Sequence, residues 1–513
     1  MHILELPREI QLLILSILDV SSTLALRQTC EFFQILTSDT FTWIKKFREQ
    51  EKIHPVDLRY ASGFGSAWPT LSELAPAVKL NQRTAPQWIK TRENGPVKLT
   101  SRPSPFMGLK ILQDRWLICA YNNGSIQVWD LDDHDADLVD AGHPPPTLFL
   151  ETTPSGQFWT AFSAAVEGDE ITIALTRAAG DPTVVLFCTI SLISREFSAI
   201  EFAVPGGWIK NIDPLHNVLL LATPDSLLIF NYISKQHQTW QIPQGSGAVY
   251  EGILDAQFLG PYVLAITTRA VFFIPFYPNV IPASASGISP EVHLAISHSR
   301  RLDFLQSTFR SAVLGGSAQR KYGPGRCDYF ITIMAYDVFR GLFRFTLTCS
   351  LSPDSDTPSL EMSQTGLYSI SNIAPPPMAP PPESPQSLLA SRNDELHTPT
   401  PTPTVPSSLQ ELPNPSARGF VSTFSIGLQG KRALWVERQR GNTIRKIHVW
   451  DASLPLPSSD DPLFPPMSSA RIYTINSFDL SDDRIHCALA ELTGRIVLGD
   501  RAGRVDILDL NRL

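Results

Sequence analysis

Short apolar runs come in pairs along this chain, each pair split by turn residues. "RWLICAYNNGSIQVWDL" (115–131) is two runs about an Asn-Asn-Gly turn, closing on Trp129-Asp130. "RIVLGDRAGRVDILDL" (495–510) turns at Ala502-Gly503 and closes at Asp509, and "TIRKIHVWDA" (443–452) ends in Trp450-Asp451. Weaker copies lie at 217–232 and 262–276, and further pairs at 170–192 and 328–347. A lone hairpin is marginal in water, but a series of them stacked as blades around an axis buries a continuous core. The pattern reads as a mainly β fold, a β-propeller of about seven blades. Six or eight blades, or two unrelated β-sandwiches, are the competing readings.

Closing such a ring requires its ends to pair. Little chain follows the strand ending at Leu510, so the last blade lacks an outer strand. "GPVKLTS" (95–101) precedes the first full pair and is expected to supply it, with Val97–Thr100 lying against Arg504–Leu510 and removing two open edges. The propeller is then assigned to 95–351 and 419–513. Between them, residues 352–418 carry "APPPMAPPPESPQ" and "HTPTPTPTVPSS". Proline lacks a ladder donor, and such a segment is expected to be a disordered insert. Ser384, Thr398, Thr400 and Thr402 each precede proline there, which makes them candidates for proline-directed phosphorylation.

The 513 residues carry a formal net charge of -8, which disfavours a nucleic-acid phosphate backbone as the main partner. No apolar run spans a bilayer, and Ile10–Leu18 lacks the basic flank and cleavage site of a signal peptide. Six scattered cysteines without a CxxC pair suit a reducing compartment, so a cytoplasmic or nuclear location is expected. The Asn123-Gly-Ser sequon reads as a hairpin turn.

Residues 1–47 have a different texture and read as a small all-α module of three helices. Residues 48–94 form a connector with Trp68 and Trp88. Pro7 and Glu9 suit a helix start. Ile10, Ile14, Ile17 and Leu18 make one stripe, with Leu12, Leu13 and Leu15 largely off it. Ser21 or Ser22 is expected to cap a second helix carrying Leu24, Leu26, Cys30, Phe33 and Leu36. Ser38 or Asp39 would cap a third with Phe41, Trp43 and Phe47. The first helix is apolar on more than one face, so the excess is buried against the rest of the chain or against another protein.

"LPREIQLLILSILDVSSTLALRQTCEFFQILTSDTFTWIKKF" resembles the F-box motif along its whole length, from Leu6-Pro7 through Ile14-Leu15, Ile17-Leu18 and the Cys30-x-x-Phe33 step to Asp39 and Trp43. Leu13 stands where that family often has an acid, and Val20-Ser21 where it often has proline. The resemblance implies docking on a Skp-type adaptor of a cullin ubiquitin ligase. It makes Leu6, Pro7, Ile10, Ile14, Leu18 and Leu24 the adaptor contacts, with Trp43, Cys30 and Phe33 as internal packing. The Trp-Asp endings are similar to those of WD-repeat proteins, although most copies lack them.

Catalytic signatures are weak. Gly427-Leu-Gln-Gly430-Lys431-Arg432 is too short for a phosphate loop and lacks the following Ser/Thr. "DLDDHDADLVDAGH" (130–143) lacks the Gly and final Glu of a calcium loop and reads as a solvated acidic loop. No metal, cofactor or catalytic residue is expected. Between His298 and Arg326 the chain is locally basic. Arg300, Arg301 and Arg320 are the residues that the F-box resemblance makes candidates for holding an acidic or phosphorylated protein target; a solvated loop is the plainer reading. The expected function is substrate recognition in an SCF-type ubiquitin ligase, without catalysis by this chain. The alternatives are a propeller scaffold without a ligase role, and a propeller enzyme with dispersed catalytic residues.

Overall fold

The computed structural model describes residues 5–51, 55, 90, 97–99, 104–132, 146–150, 158–177, 182–242, 251–276, 292–293, 299–304, 307–321, 327–351, 358–370, 419–439, 443–454, 465–479 and 482–510. Ser384, Thr398, Thr400 and Thr402 lie outside these residues.

Four helical segments open the chain: α1 (Arg8–Ile17), α2 (Val20–Arg27), α3 (Glu31–Leu36) and α4 (Thr40–Glu51). The single second helix expected from the sequence is two. Cys30 is extended (φ -160°, ψ 164°) and begins α3 anew, while Thr29 turns its hydroxyl back onto the Leu26 carbonyl. The cap of α2 is Asp19, whose carboxylate accepts from Ser22 N, rather than Ser21 or Ser22. That contact holds the Asp19 carboxyl below its usual range.

After β1 (Val97–Lys98) come seven sheets. Blade 1 is β2 (Phe106–Leu112), β3 (Trp116–Tyr121), β4 (Ile126–Asp130) and β5 (Leu148–Leu150). Blade 2 is β6 (Trp159–Glu167), β7 (Glu170–Arg177), β8 (Thr183–Ser191) and β9 (Phe197–Val204). Blade 3 is β10 (Trp208–Asp213), β11 (Val218–Ala222), β12 (Ser226–Asn231) and β13 (His237–Gln241). Blade 4 is β14 (Ile253–Leu259), β15 (Tyr262–Thr267) and β16 (Ala270–Pro275); the chain then leaves to lay β17 (Val292–His293) parallel on β13, and returns as β18 (Arg300–Asp303). Blade 5 is β19 (Ser311–Lys321), β20 (Cys327–Asp337), β21 (Gly341–Leu351) and β22 (Ser359–Tyr368). Blade 6 is β23 (Gly419–Ile426), β24 (Arg432–Gln439), β25 (Ile444–Asp451) and β26 (Ala470–Asn476). Blade 7 is β27 (Arg484–Ala490), β28 (Arg495–Asp500), β29 (Val505–Asp509) and β1.

The first strand of each blade lies against the first strand of the next, and β27 against β2 closes the ring. Each seam between neighbouring blades holds its own hydrophobic cluster. All seven inner strands carry a register shift against their second strand, which adds the twist that brings them together at the axis. The insert begins later than residue 352, because β22 is the outer strand of blade 5, with Leu360, Met362 and Leu367 packed on the core.

The ring closes as expected from 95–101: Val97 pairs with Ile507 and Lys98 with Asp506, and Leu99 N donates to Val505 O at 2.8 Å. Leu99 is buried in the cluster between blades 7 and 1. Leu99→Pro removes that donor and that side chain together, so a loss of roughly 3–5 kcal/mol is expected in a urea titration. An unchanged midpoint would mean that β1 contributes nothing to closure.

The Asp that ends several third strands has a physical role. Asp130 pairs with Arg115 and Asp451 with Arg432, and Asp509 lies 3.6 Å from Arg495. In blades 6 and 7 the Arg is directly opposite the Asp in register; in blade 1 it is one residue before the opposite position. The turn at Asn122–Gly124 is as expected, with Gly124 at φ 87° and Asn123 Oδ1 accepting from Ser125 N.

Candidate functional site

The helix α1 divides its apolar residues between two sides. Leu15 is 1% exposed and packs with Phe33 and Leu36, and Leu12, Leu18 and Leu26 lie partly buried beside them. Ile10, Leu13 and Ile17 are 42%, 53% and 76% exposed. Their spacing of three and four residues makes one stripe down the helix. α3 adds Phe32 and Ile35, exposed by 40% and 65%. These five large apolar side chains stand exposed on the helical module.

Of the six residues expected to meet an adaptor, Pro7 and Ile10 are exposed, while Leu6, Ile14, Leu18 and Leu24 are half-buried. Leu18 belongs mainly to the module's own packing. Leu13 and Ile17, absent from those six, are the most exposed apolar residues of α1. The signal that finds them is their helical spacing from Ile10, which places Leu13 on the stripe and not off it.

The stripe is held by the far side of the module. Trp43 is fully buried and donates through Nε1 to Thr37 O at 2.6 Å. Lys46 Nζ donates to Leu18 O, and Lys45 Nζ to Ser16 Oγ at 3.0 Å, so α4 grips the end of α1.

Arg300 and Arg301 are on β18, the outermost strand of blade 4, whereas Arg320 lies near the end of β19, the innermost strand of blade 5. Arg301 is tied to Glu251 and Asp303. Arg300 is exposed.

The glycine-rich turn Gly427–Arg432 does cradle an anion, and it is an internal one. The amides of Gln429, Lys431 and Arg432 all donate to the Glu491 carboxylate of blade 7. A Cβ on Gly427 would stand 2.3 Å from that carboxylate carbon. The Asp114 carboxylate of blade 1 accepts from Glu491 N and Leu492 N at 2.6 and 3.0 Å, so blades 6, 7 and 1 are clasped in series. Burial pushes the Glu491 carboxyl up to about 7, against the amide donors and Arg432 that pull it down.

Tyr368, Glu437 and His448 meet between blades 5 and 6, with Tyr368 Oη donating to Glu437 and the His448 ring stacked on Trp435 at 5.7 Å. The Glu437 and His448 side chains are almost wholly buried. Burial pulls the imidazole down from the usual 6.5 to about 4. The native state therefore binds fewer protons than the unfolded chain between those values, and the contribution present above pH 6.5 is lost as pH falls towards 4. His448→Gln is expected to flatten that acid limb by on the order of 3 kcal/mol in pH-dependent urea titrations. Parallel curves for the two proteins would contradict it.

Among the described residues, no group of three or more His, Cys, Asp or Glu side chains could hold a metal ion, and no helix is long and apolar enough to cross a membrane.

Residues 3–49 match the F-box-like family model. No curated protein matches the sequence. Solved structures similar in fold include the β-propeller domain of Cps50 (Swd1) from Myceliophteria thermophila, at 9% identity over 80% of this chain and 97% of that one, TM-score 0.44. The WD40 domain of SCAP from fission yeast matches at 8% identity over 79% and 85%, TM-score 0.38, and the WD40 propeller of Doa1 at 9% over 81% and 96%, TM-score 0.38. The chain joins an F-box-like segment at residues 3–49 to a seven-bladed β-propeller.

Proposed function

We propose that this chain is the substrate-recognition subunit of an SCF-type cullin ubiquitin ligase, working in the cytoplasm or nucleus. The observation that carries the reading is the exposed apolar stripe Ile10, Leu13 and Ile17 within the F-box-like segment. A Skp-type adaptor covers that stripe, with Leu6, Pro7, Ile14, Leu18 and Leu24 at its margins. The propeller holds a protein target, and Arg300 is retained as a target contact. Catalysis is positional, because the tethered target is held at high effective concentration beside a ubiquitin-loaded enzyme that belongs to other subunits.

Affinity purification from cells with and without proteasome inhibition tests this reading. Adaptor and cullin co-purify in both conditions, and target proteins accumulate on the propeller when the proteasome is blocked. Adaptor capture without any inhibitor-dependent protein would make the chain a scaffold, and no adaptor capture would remove the ligase reading.

A further inference from the structure

The inner strands of the propeller surround its axis, and among the described residues three of them carry a charged side chain that bonds to the inner strand of the next blade. Lys110 on β2, Lys210 on β10 and Asp255 on β14 are deeply enclosed by protein, yet each keeps part of its surface accessible. Each side chain bonds to the innermost strand of the next blade, Asp255 by accepting from Leu314 N on β19, and this places all three beside the axis, on the wall of the central channel. Lys110 Nζ donates to Ala164 O on β6 at 2.8 Å, and Lys210 Nζ donates to Leu254 O on β14 at 2.9 Å. Each lysine thus straps its blade to the next.

The straps leave chemistry over. An ammonium has three N–H donors, and one carbonyl occupies one of them. Asp255 accepts from Ala256 N and Leu314 N, each at 2.9 Å. Among the described residues neither lysine is in a direct ion pair with it, although its charge reaches both. Among the described residues two cations therefore stand beside one anion at the axis, with two N–H groups on each ammonium unfilled by protein. Burial lowers both lysines and raises Asp255, which is the signature of charges short of solvation. A strap by itself needs only a neutral donor: Gln257 Nε2 reaches Gly315 O on the next blade at 3.2 Å. The lysines add a charge cost that a neutral amide avoids, and an anion in the lumen offsets it.

We propose that the central channel binds a small free oxyanion of the phosphate or sulfate class, held by the ammonium groups of Lys110 and Lys210. The site does not depend on the adaptor reading.

The test is a titration of the full chain with inorganic phosphate at constant ionic strength, followed by calorimetry and by melting temperature. Wild type shows a saturable response that chloride does not reproduce and that sulfate competes for; saturation separates it from general salting-out. Lys110→Met and Lys210→Met each weaken the apparent affinity at least tenfold. Asp255→Asn removes the opposing charge and strengthens it about tenfold. A wild type without a saturable response overturns the proposal, as does unchanged affinity in any folded variant of the three. Asp255→Asn decides alone if the lysine variants fail to fold.

Discussion

Leu13→Asp combined with Ile17→Asp is expected to abolish capture of a Skp-type adaptor while leaving the chain folded. Both side chains point away from the module's interior, at 53% and 76% exposure. Substitution at such sites changes stability by only a few tenths of a kcal/mol. In an interface the same changes bury a carboxylate where an aliphatic side chain packed. Truncating a central contact costs about 2 kcal/mol or more, so the pair is expected to weaken binding roughly a thousandfold. Leu15→Asp is the contrasting control, because Leu15 is internal and its substitution unfolds the module. Pull-down with purified adaptor, alongside circular dichroism of each variant, reads both outcomes. Retained capture by the folded double variant would place the adaptor elsewhere.

Arg432→Ala is expected to be the most damaging single change in the propeller. Arg432 and Asp451 are both fully buried, with Nε to Oδ2 at 2.7 Å, and Arg432 Nη1 also donates to Glu491 O at 2.6 Å. Removing one partner of a buried pair leaves the other charge uncompensated, a loss of about 3–5 kcal/mol. Arg432→Met with Asp451→Asn removes both charges and keeps an acceptor for Ser453 N, which Asp451 now serves at 2.8 Å. The double variant is expected to recover most of the lost stability in urea titrations. Equal destabilisation by single and double variants would show that Arg432 acts through packing and its bond to Glu491, not through charge.

The parts of the propeller legible in the sequence are the ones with both faces covered. Six of the segments recognised from the sequence correspond to the second and third strands of a blade, such as β3–β4 and β11–β12, which are almost wholly buried, and 443–452 covers only β25, the third strand of blade 6. Burial on both faces produces unbroken apolar runs. Outer strands have one open side and lose that signal. β9 is exposed over most of its length, and β22 alternates weakly enough to be taken for part of the proline-rich insert. The inner strands are blurred by their register shifts, since one extra residue breaks a period of two.

The candidate site was legible in kind more than in detail. The helical spacing pointed to an apolar excess on α1. Which side faces out depended on Leu15 meeting Phe33 and Leu36, a tertiary contact without a local signature. The break at Cys30 was hidden because its flanking residues keep a helical apolar spacing across it. The Arg–Asp pairing was present in the text of blades 1, 6 and 7. It becomes visible only when the Asp closing one strand is read against the Arg opening the one before.

The most direct test of the account is a calorimetric titration of the full chain with a purified Skp-type adaptor. The account predicts a one-to-one complex with a negative heat-capacity change from burial of Ile10, Leu13 and Ile17. Absence of binding across micromolar concentrations, with the helices folded, would contradict it.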